Sequence, residues 1–305
     1  MPRELLLSDR VLNVDNLHIG LLGARSSLGS SLISILTHSN LRVYAFTRQE
    51  VPNTDPLVKW MALPLSPVTH GSENIKNWIC VAPIWVLADN LSTLKAFGMR
   101  RVVTLSSTSR FTKISSSAPE DQYIARRIEE AELKVRSWSE EHHIEWTILR
   151  PTLIYGDGRD KNIVEIARFI QRFSFFPIFG TAKGLRQPVH VHDVAWACVA
   201  AMNTPSATNK SYNISGSEVL PYREMVKRIF LHLNRPVRLL PIPLFFFKLS
   251  VILIRLLPRY RHWNSAMAKR MEIDMFFDHE DAMHDFGFKP RSFILSPNDL
   301  PPQDI

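Results

Sequence analysis

Residues 17–36 read LHIGLLGARSSLGSSLISIL: an apolar run of strand length, a Gly/Ser-rich turn, then a helical pattern with Leu28, Leu32, Ile35 and Leu36 on one side. That is strand, tight turn, helix. Such a turn leaves the first N–H groups of the helix without intrahelical partners, aimed above the sheet, where the helix dipole favours an anion such as a pyrophosphate. Gly23 fits the turn itself and Gly29 the close packing of helix on strand. Ser26 stands where a third glycine would let the backbone approach the pyrophosphate. Gly23, Arg25, Ser26, Leu28 and Gly29 are therefore the first candidate cofactor-binding residues.

Outward from this stretch, strands and helical patterns alternate. A second strand covers 41–47 and a weak third 58–63. A fourth is expected over 78–87, a helix over 88–97 closed by Gly98, and a fifth strand over 101–105. A long helix over 121–142 precedes a sixth strand at 145–149. This order implies a doubly wound, parallel α/β sheet of the Rossmann kind, with its ligand site beyond the carboxyl ends of the strands. After Tyr155 Pro and Gly become frequent, so 1–154 is read as the dinucleotide-binding domain and 155–305 as mainly a smaller C-terminal substrate lobe. Residues 185–202 are expected to return to the first domain, followed by a short strand at 211–214 and a helix from Tyr222.

Composition bounds the function. The 305 residues are 45% hydrophobic and 22% charged, as in a globular protein with a full core. Two cysteines, Cys80 and Cys198, lie in apolar runs without metal-ligand spacing, which reads as buried reduced thiols in a cytoplasmic setting. The N-terminus, with three leucines and an early acid, does not read as a secretory signal. The net charge of +8 is unevenly spread: 225–270 holds ten basic residues and no acid. No nucleic-acid motif accompanies them, and basic plus apolar points to a membrane surface rather than DNA. Residues 239–258, with three prolines and two charges, are too interrupted to span a bilayer. Two readings stay open for them: a helix in the interface at the inner face of the membrane, or a substrate-lobe helix with snorkelling Lys248 and Arg255.

The strand ends carry the remaining candidates. Arg48, after the second strand, meets the adenosine ribose in such units; a guanidinium there favours a 2′-phosphate, hence NADP over NAD, unless Arg48 is simply solvated. The fifth strand ends in SSTS, residues 106–109, and Tyr123 lies early in the next helix. Asp193 reads as the N-cap of the helix that follows His190 and His192, and no further ligands accompany those histidines, so no metal is expected.

Together the glycine-rich turn, the SST, Tyr123, TILRPTLIYG (147–156), RQPVHVHDVA (186–195) and DFGFKPRSF (285–293) resemble the extended short-chain dehydrogenase/reductase family, and within it the nucleotide-sugar epimerase/dehydratase group. The resemblance implies hydride transfer between a bound nicotinamide and a sugar carbon of a nucleotide- or lipid-linked substrate. It makes Tyr123 the acid/base and Thr108 or Ser107 the assisting hydroxyl. The family's lysine four residues after the tyrosine is here Arg127, whose charge could still support a phenolate. The resemblance also sets Ser106, Ser107, Pro151 and Thr152 beside the nicotinamide and Arg186 and His190 beside the substrate. The family's usual acid after the third strand is missing in MALPLSP (61–67). Helix-on-helix homodimers are common in the family. A different class stays open beside the enzyme: a cofactor-binding but non-catalytic protein, like the accessory subunit of respiratory complex I that shares this architecture. For that class Tyr123 is only a first-turn aromatic and Arg127 part of a solvated face.

Overall fold

The computed structural model describes residues 18–48, 55–62, 74–242 and 270–301. Seven parallel strands form the central sheet. In chain order they are β1 (His18–Leu22), β2 (Arg42–Thr47), β3 (Val58–Ala62), β4 (Asn77–Cys80), β5 (Arg101–Leu105), β6 (Glu145–Pro151) and, after the shorter strands below, β11 (Lys210–Ile214). Their spatial order is β11-β6-β5-β4-β1-β2-β3, so the strand order reverses between β1 and β4. In doubly wound sheets that reversal opens the ligand crevice at the carboxyl ends of the strands.

Both faces of the sheet are covered, as parallel strands require. On one side α1 (Ser27–His38) and α6 (Val191–Asn203) pack through Leu28, Leu32, Val194 and Cys198. On the other, α2 (Ile84–Ala96) and α4 (Pro119–Glu141) pack through Leu87, Leu91, Ile128 and Val135. The segment 191–214 thus adds to the core on the central sheet and supplies its edge strand. A second core gathers Tyr155, α5 (Ile163–Phe173), β8 (Phe176–Phe179), α7 (Tyr222–His232), Met271, Phe293 and Leu295. Two-residue pairings, β7 (Ile154–Tyr155) with β10 (Val189–His190) and β9 (Leu185–Arg186) with β12 (Leu220–Pro221), join the layers.

Several boundaries differ from expectation. The apolar run 78–87 is strand only to Cys80; Pro83 then caps α2, so Ile84–Leu87 belong to the helix. Pro at a helix start has no N–H to lose and breaks the strand ladder, which separates the two elements inside one apolar run. The polar loop after β5 contains a short helix, α3 (Ser109–Thr112). Leu239–Ile242 form a strand, β13, on β8, not the start of a helix; 243–258 lie outside the described residues, as do 1–17 and most of MALPLSP. Among the described residues no helix is long and apolar enough to cross a membrane.

Candidate active site

The β1–α1 turn is built on close contact. Gly23 has φ +85°, and a Cβ there would lie 2.5 Å from the Ala82 nitrogen at the end of β4. A Cβ on Gly29 would lie 2.4 Å from the Gly23 carbonyl oxygen. Both positions therefore require glycine, for the turn and for the helix seated on it. Ser26 is the N-cap of α1: its hydroxyl accepts from the Gly29 N–H at 2.9 Å and donates to the Gly23 carbonyl at 2.8 Å. With extended backbone (φ −72°) Ser26 needs no glycine's freedom. A hydroxyl thus replaces the third glycine by taking up one of the orphan N–H groups. Arg25 and Arg48 are exposed, the latter just past β2.

At the carboxyl end of β5 the hydroxyls diverge. Ser106 donates to Glu132 Oε1 at 2.5 Å. Ser107 accepts from the Ser109 N–H at 3.0 Å, which opens α3. Thr108 is buried and donates to the Pro151 carbonyl at 3.1 Å, tying β5 to the end of β6. Thr152 donates to the Gln187 carbonyl at 2.5 Å.

Glu132, on α4, is fully buried and is a residue sequence reading missed. Arg150 grips it from β6 through two bonds, 2.9 and 2.7 Å, and Arg110 of α3 reaches the same carboxylate. Burial works to raise its pKa, but the bonds from Arg150 and Ser106 outweigh it and hold the carboxylate below the usual range. Its partners are 18, 22 and 26 residues away, so no local spacing announces it.

Glu132 also fixes the rotation of α4. At about 100° per residue, position 123 lies nine residues back and roughly half a turn round from it. Tyr123 is accordingly 64% exposed, and its hydroxyl makes no hydrogen bond among the described residues. Arg127 lies over the Trp85 ring, 4.2 Å from its centroid. The sheet-facing positions at that spacing are Ile124 and Ile128, packed in the α2–α4 core. No hydrogen bond among the described residues joins Tyr123 to Thr108 or the rest of the SST. Asp121, buried at the start of α4, instead pairs with Lys113 at 3.0 Å and Arg270 at 3.1 Å.

Residues 86–215 match the profile of the NAD dependent epimerase/dehydratase family. That match covers less than half of the chain, which is similar to the family there. UDP-glucose 4-epimerase of Vibrio cholerae is 27% identical over 139 residues, 46% of this chain and 42% of that protein. NADH dehydrogenase (ubiquinone) 1 alpha subcomplex subunit 9, mitochondrial, of Dictyostelium discoideum is 31% identical over 83 residues, 27% of this chain and 23% of that protein. The chain thus aligns with less than half the length of these curated relatives. The solved UDP-glucuronic acid 4-epimerase of Bacillus cereus, in complex with UDP-glucuronic acid and NAD, superposes over 93% of this chain and 96% of its own with a TM-score of 0.68 at 15% identity. It has the same fold.

The expected substrate residues Arg186 and His190 are both buried. Arg186 is buried; its guanidinium donates to the carbonyls of Leu185 at 2.7 Å, Ile273 at 2.9 Å and Arg270, and lies over Tyr222. Burial lowers its pKa to about 10. Its donors to those carbonyls hold Arg270–Ile273 against β9. His190 is buried too: Nδ1 accepts the His192 N–H at 3.2 Å and Nε2 faces Asp299 at 3.1 Å. His190, not Asp193, is therefore the N-cap of α6. Asp193 is drawn off by Arg291 of the KPRSF segment, which meets it through its backbone N–H, Nε and Nη2. Cys80 and Cys198 are buried free thiols, and burial pushes Cys80 up to about 12. No cluster of three or more His, Cys, Asp or Glu suited to a metal occurs among the described residues.

Proposed function

We propose that the chain binds NAD(P) at the β1–α1 turn and acts by hydride transfer, as an epimerase, dehydratase or reductase, on a nucleotide- or lipid-linked sugar held between the two cores. The observation that carries this reading is the double requirement for glycine at 23 and 29, which seats the start of α1 tightly on the turn after β1. Gly23, Arg25, Ser26, Leu28 and Gly29 would hold the pyrophosphate, Arg48 the 2′-phosphate of NADP, and Ser106, Ser107, Pro151 and Thr152 would border the nicotinamide. When bound, the cofactor supplies or accepts the hydride. On the protein side, Ser107 is the hydroxyl we assign to the substrate oxygen, because the Thr108 proton is already directed at Pro151.

A second reading, a cofactor-binding protein without turnover, is favoured by the exposure of Tyr123 and the seat of Arg127 over the Trp85 ring. Titration with NADH and NADPH, followed by a turnover screen of nucleotide and lipid-linked sugars, tests both. Binding with turnover supports the first reading; binding with none supports the second. Folded protein that binds neither cofactor overturns both.

A further inference from the structure

Asp157 lies outside the glycine-rich turn yet faces it. Its carboxylate accepts the Ser27 hydroxyl at 2.8 Å and the Ser31 hydroxyl at 3.3 Å, and stands 3.3 Å from His192 Nε2. Ser27 is the first residue of α1, a helix with no acid of its own in its first turn. A fixed negative charge therefore sits beside the helix end that a pyrophosphate would approach.

The backbone pins it there. Gly156, Asp157 and Gly158 run consecutively at φ +122°, +56° and +61°. A Cβ at 156 would lie 2.8 Å from His190 Nε2, and one at 158 would lie 3.0 Å from the Leu300 carbonyl. The Asp157 N–H donates to Asp299 Oδ1 at 3.3 Å. The turn is thus wedged between β10 and the C-terminal tail. Burial lowers the pKa of His192 and so favours its neutral form beside the carboxylate.

We infer that Asp157 sets the affinity of the cofactor site: its carboxylate stands in for the anion at the α1 N-terminus and opposes the charge of an arriving pyrophosphate. NAD(P) then exchanges between turnovers rather than staying bound through them. This inference rests on the dinucleotide reading above.

Asp157→Asn and Asp157→Gly both suit the left-handed backbone and remove the charge. NADH binding, followed by energy transfer from tryptophan to nicotinamide, is expected to tighten about 10-fold in both, the size of a close charge repulsion partly screened by water. Adenosine, which carries no phosphate, is expected to bind all three proteins equally, an equality that a merely structural role for Asp157 would not require. NADH affinity that is unchanged or weaker in a folded variant overturns the inference. If one variant fails to fold, the other decides. If neither the parent nor the variants bind NADH, the dinucleotide reading falls, and the inference with it.

Discussion

Glu132 takes the Ser106 hydroxyl at 2.5 Å from the side of α4 opposite Tyr123. That relationship fixes which helix face meets the strand ends and leaves Tyr123 on the exposed side of α4. Tyr123→Phe is accordingly expected to shift stability by less than about 0.5 kcal/mol, as exposed substitutions do, and to change NADH affinity or any turnover less than twofold. Thermal melting and steady-state assays check this.

Glu132→Gln breaks a buried charge cluster and leaves Arg150 without its partner. The expected loss is about 3–5 kcal/mol in urea unfolding. The pH dependence has a definite sign. Glu132, Asp121 and Asp299 all have pKa values held below their ordinary ones although burial opposes this in each; Lys113, Arg150 and His190 lead the bonds that win. Groups depressed in the folded state stabilise it above their unfolded pKa, and that stability is lost as pH falls through the folded values. Unfolding free energy should therefore drop steeply below about pH 4, and less steeply in Glu132→Gln.

Gly29→Ala tests the seat of the cofactor helix. Alanine is favoured over glycine by about 1 kcal/mol inside a helix. The Cβ would nevertheless meet the Gly23 carbonyl oxygen at 2.4 Å, so the variant is expected to lose stability rather than gain it, and to lose NADH binding with it. A stabilised variant with unchanged binding would contradict this.

Arg48→Ala tests cofactor choice. Loss of a guanidinium partner for a 2′-phosphate is expected to weaken NADPH binding about 10-fold and leave NADH unchanged. Equal effects on both would remove Arg48 from recognition.

The fold was legible because its signals are local: the glycine turn at 23 and 29, the strand–helix alternation, and Gly98 closing α2. Of the motifs read over Leu17–Phe293, the SST, Tyr123, TILRPTLIYG and RQPVHVHDVA fall inside the family match at 86–215, while the glycine turn and DFGFKPRSF fall outside it. What escaped depends on contacts distant in sequence. A tyrosine with a cation four residues on marks one helix face but not which way that face turns, and Glu132 settles that through partners on α3, β5 and β6. His190 caps α6 because Arg291, about a hundred residues away, claims Asp193. Arg186 reads as a phosphate ligand from its motif alone, which says nothing of the carbonyls of Arg270 and Ile273 that fold onto it.

The most direct test of the account is the parallel titration of the protein with NADH and NADPH, read by tryptophan-to-nicotinamide energy transfer. Saturable binding, tighter for NADPH and abolished by Gly29→Ala, is the predicted result. Folded protein that binds neither cofactor would contradict the account at its base.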